Sequence, residues 1–257
     1  MKTLHRLAVL VDSCVLPSVR GTGPHLPEWI LRGLERGTPG AAVHAYGPAA
    51  RAASDAVRAA LPDALTGHLG PAGPPGPAGP PGAATAAELL AAGANLHLAV
   101  PPSDRPDATR TFVTDLQAHG VAAALGPFTG IGSLRPFAEG AAAGVRAISA
   151  AAPAALSAHV VTGVLRGELG YTGVVVSEAL DAPSVVDGWG VPGAAVLAWI
   201  AGVDLVRLGP GSGPGVREAI HAAAARAVSD GDLPIARLEE AADRVARLRR
   251  WASGPLV

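Results

Sequence analysis

Residues 168–183 read Glu-Leu-Gly-Tyr-Thr-Gly-Val-Val-Val-Ser-Glu-Ala-Leu-Asp-Ala-Pro, and their reading decides the fold. A helix ends in Leu169-Gly170, and a tight turn follows at Thr172-Gly173. Val174-Val175-Val176 is then apolar on both faces, which suits a parallel strand covered by helices. Ser177 and Glu178 stand where that strand ends. In a parallel α/β barrel this end opens into the cleft where such folds do chemistry.

Outward from this stretch the pattern repeats. Strands are expected at Leu7–Val11, Ala41–Tyr46, Ala64–Leu69, Ala94–Val100, Val121–Leu125, Val145–Ala150, Gly173–Ser177 and Asp204–Leu208. Helices are expected at Leu26–Arg36, Ala49–Leu61, Thr85–Ala92, Thr109–His119, Leu134–Ala143, Ser157–Leu169, Pro192–Ala201, Gly215–Ser229 and Ile235–Trp251. Gly37, Gly93, Gly120, Gly144, Gly170 and Gly202 each close a helix shortly before a strand, as left-handed caps do. Eight strand-helix units predict an α/β fold, a (β/α)8 barrel that is whole or slightly eroded. A doubly wound open sheet is the alternative, but Val11-Asp12-Ser13-Cys14 lacks the glycine-rich turn it favours.

The chain has 257 residues, close to the ~250 of one such barrel. Residues 1–257 therefore read as one barrel domain. Within it, residues 70–82 form a Gly/Pro-rich loop, GPAGPPGPAGPPG, of polyproline-II character. That loop leaves the third expected strand and should lie over the barrel mouth.

The net charge is −1 and charged residues are 16% of the chain, so neither nucleic acid nor an anionic membrane is expected as a partner. The one cysteine, Cys14, reads as a small buried hydrophobe. Met1–Pro17 has a signal-like look, but Asp12 interrupts its short apolar run and no Ala-x-Ala site follows. No long uncharged apolar run suggests a membrane span, and a cytoplasmic protein is expected. Neither metal nor cofactor is expected, since no histidine pair has zinc-ligand spacing.

The residues carry a resemblance. Leu16-Pro17, Gly21-Thr22 and Leu26-Pro27-Glu28-Trp29, the run Thr85–Val100, the run Leu165–Leu180, and Ala195–Arg249 together resemble glycoside hydrolase family 3. The likeness is to its single-barrel bacterial β-N-acetylglucosaminidases. The third stretch is the most specific, because glycine, strand and acid recur in order. The resemblance implies a retaining glycosidase, with an aspartate nucleophile after strand seven. It also implies a His-Asp acid/base pair on the loop after strand five, and arginine, lysine-histidine and acidic loop residues that hold the sugar.

Position by position, the polar half of that pattern is replaced. The nucleophile position is Glu178, whose extra methylene carries the carboxylate roughly 1.3 Å further in a geometry set to about 5–5.5 Å between carboxyls. The acid expected beside it is Ala179. The family's Lys-His-Phe-Pro-Gly-His-Gly run falls on Gly126–Gly132, where lysine and both histidines are absent. The dyad has no counterpart in Ser133-Leu134-Arg135, and Ala151-Ala152 replaces an Ala-His. A fold can outlast its site, because packing lives in the core and recognition in the loops.

Candidate residues remain. Glu178 stands at the nucleophile position, or is an acid paired with Arg207. Asp181 could supply a second carboxylate, or serve a turn. Asn95 and His97 share a strand face and could meet a ligand inside the barrel, or be hydrogen-bonded interior residues. Trp189 stands on a mouth loop and could stack on a sugar. Ser133 reads as a helix N-cap, and Glu139 is the carboxylate nearest the lost dyad loop. Arg244, Arg247, Arg249 and Arg250 read as a solvated helix face. Three functions stay open: a degenerate barrel acting as a binding or partner protein, a glycosidase using Glu178 with Asp181 or Glu139 as donor, and an enzyme of another class. The ligand expected at the mouth is a sugar or another small molecule, and a protein partner or a homodimer is compatible.

Overall fold

The computed structural model describes residues 2–20, 25–69, 82–105 and 107–254. Nine short parallel strands compose the sheet: β1 (Val15–Leu16), β2 (Ser18–Arg20), β3 (Gly40–His44), β4 (Leu65–His68), β5 (Leu96–Val100), β6 (Ala122–Phe128), β7 (Ala147–Ala150), β8 (Val174–Ser177) and β9 (Val206–Arg207). Strands β2 to β8 follow one another in sequence order across a curled sheet, and β1 pairs with β9.

Hydrogen bonds join the two sheets into a ring. The Ser177 N–H donates to Leu205 O, and Leu205 N–H to Val175 O, which ties β9 to β8. On the other side, β1 and β2 are one run of chain interrupted at Pro17, which has no N–H to give a ladder. Its carbonyl still accepts from Ala42 N at 2.8 Å. Counting β1–β2 as one strand gives the eight of a (β/α)8-like barrel.

Side chains sort by the two-residue period of the strands. Leu16, Ala42, Leu65, Leu96, Ala122, Ala147, Val174 and Leu205, one from each of the eight, pack inside the ring. Many of these are small, as the narrow interior requires. Val245 and Leu248 of α10 (Ile235–Ser253) close the ring at the N-terminal ends of the strands. Outward-facing Val100, Leu125, Ile148, Val175 and Val206 meet the helical layer.

Six expected helix caps lie at positive φ, from 60° at Gly170 to 122° at Gly37. Seven of the eight expected strands are present, with bounds moved by a few residues. The first is a correction. Leu7–Val11 belongs to α1 (Lys2–Ser13), and the first strand begins at Val15. Leu7 and Val11, four residues apart, are buried, while Val9 between them is 40% exposed. That is the period of a helix lying on one face, not of a strand covered on both.

A second difference concerns α8 (Pro183–Ala201), which begins nine residues before the helix expected at Pro192 and breaks at Gly190. Among the described residues it is the one helix long and apolar enough to cross a membrane. Here its residues pack against α9 (Val216–Asp230). The helix expected at Ser157–Leu169 is wound more widely, in π fashion, over His159–Glu168. The Gly/Pro-rich loop lies, apart from Gly82, outside the described residues.

Candidate functional site

The C-terminal ends of the strands form the mouth of the barrel. Continuing the inward alternation places Ser18 above Leu16, His44 above Ala42, Glu178 above Val176 and Arg207 above Leu205. Four strands thus bring a hydroxyl, an imidazole, a carboxylate and a guanidinium to one end of the ring.

Arg207 is 8% exposed. Its Nε and Nη1 are buried and have no hydrogen-bond partner among the described residues. Burial lowers its pKa, and the charges of Glu178 and Asp181 oppose that shift. Glu178 is half-buried, and its backbone N–H donates to Ala150 O at 2.8 Å. The two groups therefore influence one another across the mouth, yet form no ion pair within 4 Å among the described residues.

His44 Nε2 lies 3.0 Å from Ser18 Oγ. The Ser18 hydroxyl proton goes to the carbonyl of Leu208. A hydroxyl has one proton to give, so the Ser18 oxygen accepts from His44, which carries its proton on Nε2. Burial, followed by the charge of Arg207, lowers the pKa of His44, while Asp181 opposes. A neutral imidazole with its proton committed to Ser18 results.

Asp181 accepts from Gly211 N at 3.0 Å. It packs so closely on Gly209 that a Cβ there would fall 1.7 Å from its Oδ1. The bond spans 30 residues and fastens the loop after β8 to the loop after β9, rather than closing a turn of its own. The remaining carboxylates on loops at this end are Asp104, which is exposed, and Asp107, which pairs with Arg110 at 3.4 Å. On the loop after β6, Ile131 stands where the resemblance calls for a histidine and is 89% exposed. Residues 21–24 and 70–81, outside the described set, contain no titratable side chain.

The other expected ligand contacts lie elsewhere. Leu96 and Leu98 face the barrel interior, so His97 faces the helices, and the expectation that it points inward is corrected. It is 1% exposed, bonded to the backbone of His68, and burial pushes its pKa down to about 4. Asn95 sits before β5, at the opposite end from the mouth. Its amide clamps neighbouring backbone, accepting from Thr66 N at 2.8 Å and donating to Ala64 O at 2.9 Å. Trp189 lies on α8 rather than a loop, 53% exposed in a groove shared with Ala219, Ala223 and Arg226 of α9. Glu139 lies on α6 (Arg135–Ala142), 3.7 Å from Arg135. Ser133 Oγ accepts from Arg135 N at 3.2 Å, at the start of that helix.

Sequence reading missed the mouth roles of His44 and Ser18. The signal was available, because each lies two residues beyond an interior position on its strand. It was hidden for Ser18 by the misplacement of the first strand.

Arg166 from the Leu165–Leu180 stretch, and Asp204 and Arg237 from the Ala195–Arg249 stretch, converge behind the barrel. Asp204 is fully buried and accepts from Arg166, Arg237 and Arg244 at 2.6, 2.6 and 3.1 Å. Its carboxylate also accepts from Val175 N at 2.9 Å. Arg244, expected on a solvated face, is thus turned inward.

Comparison with known proteins agrees with this geometry. Residues 130–248 match the family described as Glycosyl hydrolase family 3 N terminal domain. No curated protein matches the chain in sequence. Among solved structures, the fold is similar to a glycoside hydrolase family 3 β-N-acetylglucosaminidase from Paenibacillus. The identity is 21% and the TM-score 0.75, over 97% of this chain and 64% of that one. A β-N-acetylhexosaminidase from Beutenbergia cavernae is similar at 22% identity and a TM-score of 0.76, over 95% of this chain and 98% of that one. A family 3 glycosyl hydrolase from Mycobacterium smegmatis shares 15% identity with a TM-score of 0.71, over 100% and 98%. The chain spans just under two thirds of the Paenibacillus protein. The match over residues 130–248 and the fold shared along nearly the whole chain agree with the resemblance read from the sequence: this chain is a barrel similar to those of glycoside hydrolase family 3.

Proposed function

We propose that this barrel performs no glycosidase turnover and acts as a binding or partner protein through its mouth. The observation that supports this reading is the state of the mouth's titratable groups. A retaining glycosidase needs two carboxyls, or a carboxyl and another acid, facing one scissile bond. Here Glu178 stands beside an arginine. Asp181 is held by a backbone amide, and the Nε2–H of His44, whose pKa burial lowers, is engaged in a hydrogen bond to Ser18. Neither Asp181 nor His44 is thus free to protonate a leaving oxygen, a function worth roughly 10²–10⁴-fold in rate.

Binding chemistry remains. The guanidinium of Arg207, which stands at the mouth end of its strand, can offer hydrogen bonds to a hydroxyl, carbonyl or acidic group of a small molecule. Glu178 on the neighbouring strand accepts hydrogen bonds from sugar hydroxyls.

The test is hydrolysis of an aryl β-N-acetylglucosaminide by the wild-type chain and by Glu178→Gln. The expected rate is that of buffer for both. Turnover by the wild type that disappears in Glu178→Gln would replace this reading with that of a working glycosidase.

A further inference from the structure

On the face opposite Glu178 lies a pocket that the mouth does not explain. It occupies about 310 Å³ beneath the N-terminal ends of β7 and β8, against α10. Arg146 precedes β7, Gly170 and Gly173 lead into β8, and Arg244 and Arg247 descend from α10. Three arginines and no carboxylate line it.

The three are not equivalent. Arg244 is spent on Asp204 and Glu240, whereas Arg146 and Arg247 form no ion pair among the described residues. Both are exposed. The Arg146 guanidinium lies 4.7 Å from the Trp251 ring centroid, a stacking that holds its position without consuming its charge. Asp243, four residues before Arg247 on α10, makes no ion pair with it. Behind the pocket, Arg166, Arg237 and Arg244 face two carboxylates, those of Asp204 and Glu240. The local balance is positive before Arg146 and Arg247 are counted. A positive, concave site with the Arg146 guanidinium held against Trp251 suits a compact multivalent anion. Its volume is at the small end of ligand pockets.

We propose that this pocket binds the phosphate group of a small phosphorylated molecule, with Arg146 and Arg247 as its principal contacts. The proposal is independent of the mouth, and its failure would leave the reading of Glu178 untouched.

The test is a titration with inorganic phosphate, and separately with glucose 6-phosphate, at constant ionic strength, followed by backbone amide NMR. Saturable shifts are expected at residues 144–146, 170–174 and 244–248. Arg146→Gln and Arg247→Gln should each weaken binding by about tenfold, and together abolish it. Both side chains are exposed, so the variants should keep the wild-type spectrum elsewhere. Shifts that do not saturate, that chloride reproduces, or that persist unchanged in the double variant would overturn the proposal.

Discussion

Arg207 exposes a conflict between stability and binding at a single position. A buried guanidinium with two unpartnered nitrogens costs desolvation energy that the charges of Glu178 and Asp181 return only in part. Arg207→Met, similar in length and apolar, should therefore stabilise the chain by about 1–2 kcal/mol and raise Tm by roughly 2–8 °C. A thermal melt showing a loss of that size would mean that Arg207 already has a stabilising partner. Gly209 makes the converse case. Its replacement by Ala drives a methyl into the Asp181 carboxylate and should cost about 1–3 kcal/mol. Removing that carboxylate in the double variant Gly209→Ala, Asp181→Ala should recover most of the loss, which a double-mutant cycle in urea would measure. Glu178 and Arg207 were legible as strand-end residues, because the Val174–Val176 run and the Asp204–Leu208 run each fix where a strand stops. The Nε2–Ser18 bond of His44 was not, because it joins β2 to β3 and exists only once both strands are in register.

Elements here are held by a few buried polar groups. Asp204 fixes the π-helical segment through Arg166, α10 through Arg237 and Arg244, and β8 through Val175 N. Asp204→Asn leaves three arginines facing one another and should cost about 3–5 kcal/mol, read from the urea midpoint. A cost below about 1 kcal/mol would show that the clamp is dispensable. His68 and His97 sit on the helix-facing side of β4 and β5, 4% and 1% exposed, and burial pushes each pKa down to about 4. The folded state thus prefers both imidazoles neutral. Their contribution is present above pH 6.5 and is lost as pH falls from 6.5 toward 4, by an amount of order 3 kcal/mol each. Urea denaturation across that window should show the decline, and His97→Gln should flatten it by about half. A flat profile for the wild type would contradict the burial argument. Six helix ends were legible because a glycine at positive φ follows each and turns the chain. The first strand was not, because five apolar residues in a row fit a half-buried helix as well as a strand, and only packing decides.

At the scale of the whole molecule, the Asp204 clamp and the mouth groups Ser18, His44, Glu178 and Arg207 lie at opposite ends of one barrel. The stretches Leu165–Gly170, Ala201–Leu205 and Pro234–Leu238 lie within the runs that carry the resemblance, and they supply Arg166, Asp204 and Arg237 of the clamp and Leu205 of the interior. The mouth was legible mainly by subtraction, through alanine, glycine and isoleucine at positions where the resemblance calls for ionisable groups. What its remaining groups bind was not legible, since a ligand is recognised by loops whose geometry local sequence does not dictate. The central claim is that the shell stands without a competent pair of acids. Incubation with an activated 2-fluoro sugar donor, followed by intact-mass analysis, tests it most directly. The account predicts that the chain keeps its unmodified mass after prolonged incubation. A glycosyl adduct mapped to Glu178 would contradict it.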